Sequence, residues 1–81
     1  MKYIMIDGMG DAEPAFFIFP DCKQHSIVAN QLGYLNHVTG AGFIQFVDEG
    51  RVVAECYGES NSLRVGVGVR DSVIITKFLA L

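Results

Sequence analysis

The chain has 81 residues, of which 51% are hydrophobic and 19% charged, and a formal net charge of −3 at pH 7. So apolar and short a sequence excludes general disorder and a second packed core, and predicts one domain over residues 1–81. Six Lys and Arg scattered along it are too few for a stripe that tracks phosphates, and −3 is too weak a field for an acidic mimic, so nucleic acid is excluded as a partner.

Residues 1–7 hold one Lys and a short apolar run stopped by Asp7, without the apolar region of a secretory signal. The longest unbroken apolar stretch, residues 15–19, falls far short of the roughly 20 residues that span a membrane. Two cysteines, Cys22 and Cys56, are sparse for a small secreted scaffold. The expectation is a cytoplasmic chain with free thiols and no membrane partner.

Tyr3-Ile4-Met5-Ile6 and Ala15-Phe16-Phe17-Ile18-Phe19 are short, β-branched or aromatic, and bounded by breakers, which predicts the two arms of a hairpin. Between them, residues 8–14 carry Gly, acid and Pro without a period and predict a mobile loop. Pro20 closes the second arm, and Asp21 with Gln24 has the spacing of a capping box. Ser26 is a competing cap, so a helix is predicted to begin between Cys22 and Ile27 and to stop at Gly33. Val28 and Leu32 give it an apolar stripe, with Gln24, Asn30 and Gln31 on the polar face.

Gly40-Ala41-Gly42 reads as a loop entering a strand, too short for a phosphate loop. From there the period becomes two: Phe43, Gln45 and Val47 alternate with Ile44 and Phe46, and Val52, Ala54 and Cys56 with Val53, Glu55 and Tyr57. The link Asp48-Glu49-Gly50 ends in Gly, as a three-residue hairpin turn does. Residues 62–69 then put Leu63, Val65, Val67 and Val69 on one face of a third meander strand, and Arg64, Gly66, Gly68 and Arg70 on the other. In residues 71–81, Val73-Ile74-Ile75 favour strand, but Asp71-Ser72 and the four-residue spacings Ile74–Phe78 and Ile75–Leu79 favour a short C-terminal helix. Together these patterns predict an α+β domain: an antiparallel sheet of about five strands, one helix packed on it, and a short helix at the C-terminal end.

Ile18-Phe19-Pro20, His25, Val28-Ala29, Ala41-Gly42-Phe43, Cys56-Tyr57-Gly58, Ser60, Ser62-Leu63 and Asp71, spread over about two thirds of the chain, resemble a group of small bacterial and phage-associated proteins with no established activity. The resemblance implies a cytoplasmic, prophage-associated chain with a helical C-terminus.

One arrangement has the elements of an enzyme. Cys22 lies three residues before His25, near a helix start and beside Lys23, where a thiol could be activated. Cys56 and His37 would have to complete a zinc site with them, but lie nineteen residues apart instead of forming a tight second pair, so no metal and no cofactor is expected. Gly58-Glu59-Ser60-Asn61-Ser62 lacks the flanking glycines of a serine-hydrolase turn and reads as a β-turn bonding its own backbone. Any acid–base site would have to be assembled from Asp7, His25 and Glu59 across the fold.

Residues 15–19 are apolar at every position, with Phe16 and Ile18 on one face and Phe17 and Phe19 on the other; Tyr3 and Met5 likewise oppose Ile4 and Ile6. A hairpin apolar on both faces needs cover on both. Either a second copy covers one face, making Tyr3, Met5, Phe16, Phe17 and Phe19 a homodimer interface, or the hairpin is central between the two helices. Gly66 and Gly68, flanked by Arg64 and Arg70, make a flat strip that either receives an acidic peptide or small anion or has a helix or an aromatic ring packed tightly over it. The functional expectation is a non-enzymatic, homodimeric protein-interaction or accessory module of a mobile element. The alternative is a small thiol-dependent or hydrolytic enzyme using Cys22 and His25.

Overall fold

The computed structural model describes residues 1–6, 8, 14–48 and 50–80. Residues 9–13 of the expected mobile loop, and Asp7, lie outside the described residues. The elements are β1 (Lys2–Ile6), β2 (Ala15–Phe19), α1 (His25–Gln31), β3 (Val38–Asp48), β4 (Val52–Tyr57), β5 (Glu59–Ser60), β6 (Val65–Gly66) and α2 (Asp71–Leu79). The fold is α+β: an antiparallel sheet in the order β2-β1-β3-β4, a separate β5-β6 pair, and two helices.

β1 is an inner strand, and that place explains its apolar sequence. Tyr3 and Met5 pack with Ile44, Ala54 and Ile75 of α2 on one face, while Ile4 and Ile6 pack with Phe19, Ala41 and Ala29 of α1 on the other. Each buried side chain of this size contributes about 1.5–3 kcal/mol. The hairpin is therefore sandwiched between the chain's own helices. Of the two covers the sequence allows, a second copy or the chain's own helices, the helices lie over both faces.

α1 starts at His25, with Gln24 extended before it and no side-chain cap from either residue. The capping box does not form; the Oγ of Ser62, distant in sequence, accepts from Ser26 N at 3.2 Å. The C-terminal stop at Gly33 holds. Gly33 takes φ +79°, its N–H donates to Asn30 O, and Tyr34 N–H donates to Ala29 O at 2.9 Å, the paired bonds of a Schellman ending.

Two strand expectations change. β3 begins at Val38, so Gly40-Ala41-Gly42 lies inside the sheet, paired with Met5, Ile4 and Tyr3, instead of in a loop. The third meander strand shrinks to Val65–Gly66, which pairs with Glu59–Ser60 and not with β4. The break comes at Arg64, whose left-handed φ of +57° ends the pleat. Leu63 and Val65 pack on the α1 side and, past the short strand, Val67 on the α2 side, while Val69 is exposed.

The C-terminal segment is helical, and α2 closes the β4 edge. Thr76 Oγ1 accepts from Ala54 N at 2.9 Å and donates to Ala54 O at 3.4 Å, and Ser72 Oγ accepts from Cys56 N at 2.9 Å. Four helical residues advance about 6 Å and two strand residues about 6.8 Å, so hydroxyls at i and i+4 match amides at i and i+2. Such an edge cannot pair with another strand.

Candidate functional site

Asp71 opens α2 and is only 4% exposed. Its Oδ2 accepts from the Tyr3 hydroxyl at 2.6 Å and from Gly68 N at 2.8 Å. Glycines make the room: a Cβ on Gly68 would stand 2.7 Å from Oδ1, and one on Gly40 would overlap Oδ2. Burial, then the bond to Asp71, raises the Tyr3 hydroxyl far above the usual phenol range, so it remains a donor. Burial also raises the Cys56 thiol. The node clamps α2 to the sheet, and no buried side-chain nitrogen or oxygen among the described residues lacks a partner. Both shifts, at Tyr3 and at Cys56, favour the protonated groups.

The proposed Cys22–His25 arrangement is divided. His25 is buried; its Nε2–H donates to Gly42 O at 2.8 Å, and its ring stands edge-on to Phe19 and Phe43 at 5.5 and 6.0 Å. The ring thus satisfies a backbone carbonyl inside an aromatic cluster. Cys22 is exposed in the preceding turn, and no hydrogen bond joins the two. Among the described residues no three His, Cys, Asp or Glu side chains are placed to hold a metal ion, and Cys56 and His37 do not gather with Cys22 and His25. Ser60 is buried and its Oγ accepts from Leu63 N at 3.2 Å, the self-bonded turn expected from the sequence. Asp7, the third member of the His25–Glu59 acid–base set, lies outside the described residues.

The glycine strip is occupied at one end. Asp71 fills the space over Gly68, whereas a Cβ on exposed Gly66 would meet only Glu59 Cβ, at 3.9 Å. At Gly68 the chain's own carboxylate stands where the sequence allows an anion between Arg64 and Arg70, and the strip is left open only at Gly66. Of the five expected interface residues, Tyr3, Met5 and Phe19 are core. Phe16 and Phe17 are half-buried, Phe16 edge-on to Phe78 at 5.3 Å and Phe17 stacked on Tyr34 at 6.2 Å.

The unused surface lies along α2. Its outer stripe is Arg70, Val73 and Lys77, with Val73 59% and Phe78 60% exposed. Two grooves flank the helix: one of about 530 Å³ against β4, bordered by Val52 and Leu79, and one of about 390 Å³ towards Pro14 and Phe16. Val73 and Lys77 carry no functional expectation from the sequence and Arg70 is expected only to flank the glycine strip, although the spacing of Arg70, Val73 and Lys77 marks one outward stripe once the helix is granted. No protein-family model matches the chain, and no curated protein and no solved structure matches it either. No helix among the described residues is long and apolar enough to cross a membrane.

Proposed function

We propose that this chain is a non-enzymatic protein-interaction module that engages its partner through the outer surface of α2, in a cytoplasmic and prophage-associated setting. The observation that carries the reading is the contrast between the two kinds of surface. The polar groups suited to chemistry, His25, Ser60 and Asp71, are spent on backbone and tertiary bonds, while Val73, Phe78 and Leu79 stay exposed beside two grooves. Exposed apolar side chains gathered around a groove favour a protein partner. A photo-crosslinking amino acid placed at Val73 or Phe78 in cells should give a discrete crosslinked product, and one at exposed Asn30 should not. Equal crosslinking at all three positions would overturn the proposal.

A second reading, the homodimer, is favoured by one observation. β4 is closed by Ser72 and Thr76, whereas β2, the other edge of the sheet, pairs among the described residues only with β1. Antiparallel pairing of two β2 edges would join the sheets of two copies, and the flanking prolines, Pro14 and Pro20, limit the contact to five residues. Sedimentation at rising concentration tests it, together with hydrogen exchange of the β2 amides. A monomer whose β2 exchange is independent of concentration rules the dimer out.

A further inference from the structure

The grooves beside α2 carry a charge pattern as well as an apolar one. The larger groove is lined by Arg51 and Val52 from the strand side and by Lys77 and Leu79 from the helix side. The smaller one shares Val73 and Lys77 and adds Arg70 and Phe78. No acidic residue among the described ones lines either groove. Three of the chain's six Lys and Arg thus collect on one side of a protein of net charge −3. None of the three forms an ion pair with a described residue.

Val73, 59% exposed, stands between two cations of one helical stripe. A partner offering apolar anchors flanked by carboxylates would use both features. Resting on the interaction-module reading, we infer that the partner is an acidic amphipathic helix, laid along α2 with its apolar face between Val52, Val73 and Leu79 and its carboxylates towards Arg51 and Lys77. A second copy joined symmetrically through this face is disfavoured, because the two-fold would set like charges against each other. Nucleic acid would waste the apolar floor and needs more than three cations.

The test is selection from a phage-displayed library of random peptides against the whole chain, counter-selected on Val73→Glu, with circular dichroism to show that each variant is folded. Enriched peptides should be acidic and amphipathic. Their affinity should fall about tenfold with Arg51→Glu plus Lys77→Glu, and should weaken as salt rises. Enrichment of neutral or basic peptides that still depend on Val73 overturns the acidic partner and leaves the module reading standing. No peptide distinguishing the parent from Val73→Glu overturns both. Binding to phosphatidylserine-containing vesicles without any peptide enrichment overturns the protein partner in favour of an anionic membrane surface.

Discussion

Tyr3 and Asp71, 68 residues apart in sequence, meet in the core with the phenol donating to the carboxylate at 2.6 Å. The bond ties the first strand to the last helix, and it exists because two glycines, Gly40 in β3 and Gly68 in the link before α2, leave space for the carboxylate. A buried carboxylate with two donors is tolerated; one stripped of them is not.

Asp71→Ala should therefore destabilise the fold by about 3 kcal/mol, since it leaves the Tyr3 hydroxyl and Gly68 N unpaired. Gly40→Ala should cost about 1–3 kcal/mol by driving a methyl into the carboxylate. In the Asp71→Ala background the same glycine change should be nearly free, and urea unfolding of the four proteins reads the coupling. Additive costs would mean that Gly40 is not there to admit Asp71.

The clamp also sets an alkaline limit. Tyr3 has its folded pKa raised by burial and by Asp71, so its contribution is complete below the unfolded phenol value of about 10 and is lost as pH rises above it, because the unfolded chain releases a proton that the folded one keeps. Cys56, raised by burial, begins a similar loss from about pH 8.5. Urea midpoints should fall in two stages as pH rises from neutral to strongly alkaline. Tyr3→Phe should abolish the upper stage and leave the lower, and an unchanged upper stage would assign it to another group.

How far the sequence could be read follows from which forces are local. The arms of the hairpin, the Gly33 stop and the β3–β4 turn were legible because periodicity and left-handed glycine act within a few residues; Gly50 indeed takes φ +83°. The capping box at Asp21 and Gln24 misled because Ser62, from another loop, does the capping. Strand glycines do mark close approach, at Gly40 and Gly42 inside β3 as well as at Gly68, whereas Gly66 stays open. The two in β3 looked like a loop because the groups approaching them, Asp71 and Val67, come from far along the chain. For the same reason His25 looked like chemistry: its partner, Gly42 O, is not a sequence neighbour.

Closure of the β4 edge by α2 makes a separate prediction. Ser72→Ala and Thr76→Val each remove a hydroxyl that partners a strand amide, at about 1 kcal/mol apiece. The double variant should also associate with time, since the edge it opens can pair with another chain. Light scattering at fixed concentration would register this. A double variant that stays as dispersed as the parent would show that the hydroxyls add stability but do not guard the edge.

The sharpest contrast lies between the hairpin and the outer face of α2. Phe16 packs against the Tyr3–Met5–Ile75 cluster, and Phe17 against the Ile4–Ile6 cluster on the opposite face. Phe16→Glu and Phe17→Glu should therefore both destabilise the single chain, by about 2–4 kcal/mol. Neither should yield a folded monomer from a dimer. Val73→Glu, on the exposed stripe, should stay within about 0.5 kcal/mol of the parent. Urea midpoints rank the three variants, and sedimentation of each reports its assembly. If either Phe variant kept the parent's stability and shifted a dimer to monomer, that face of the hairpin would be the contact surface after all, and the argument from α2 would fall with it.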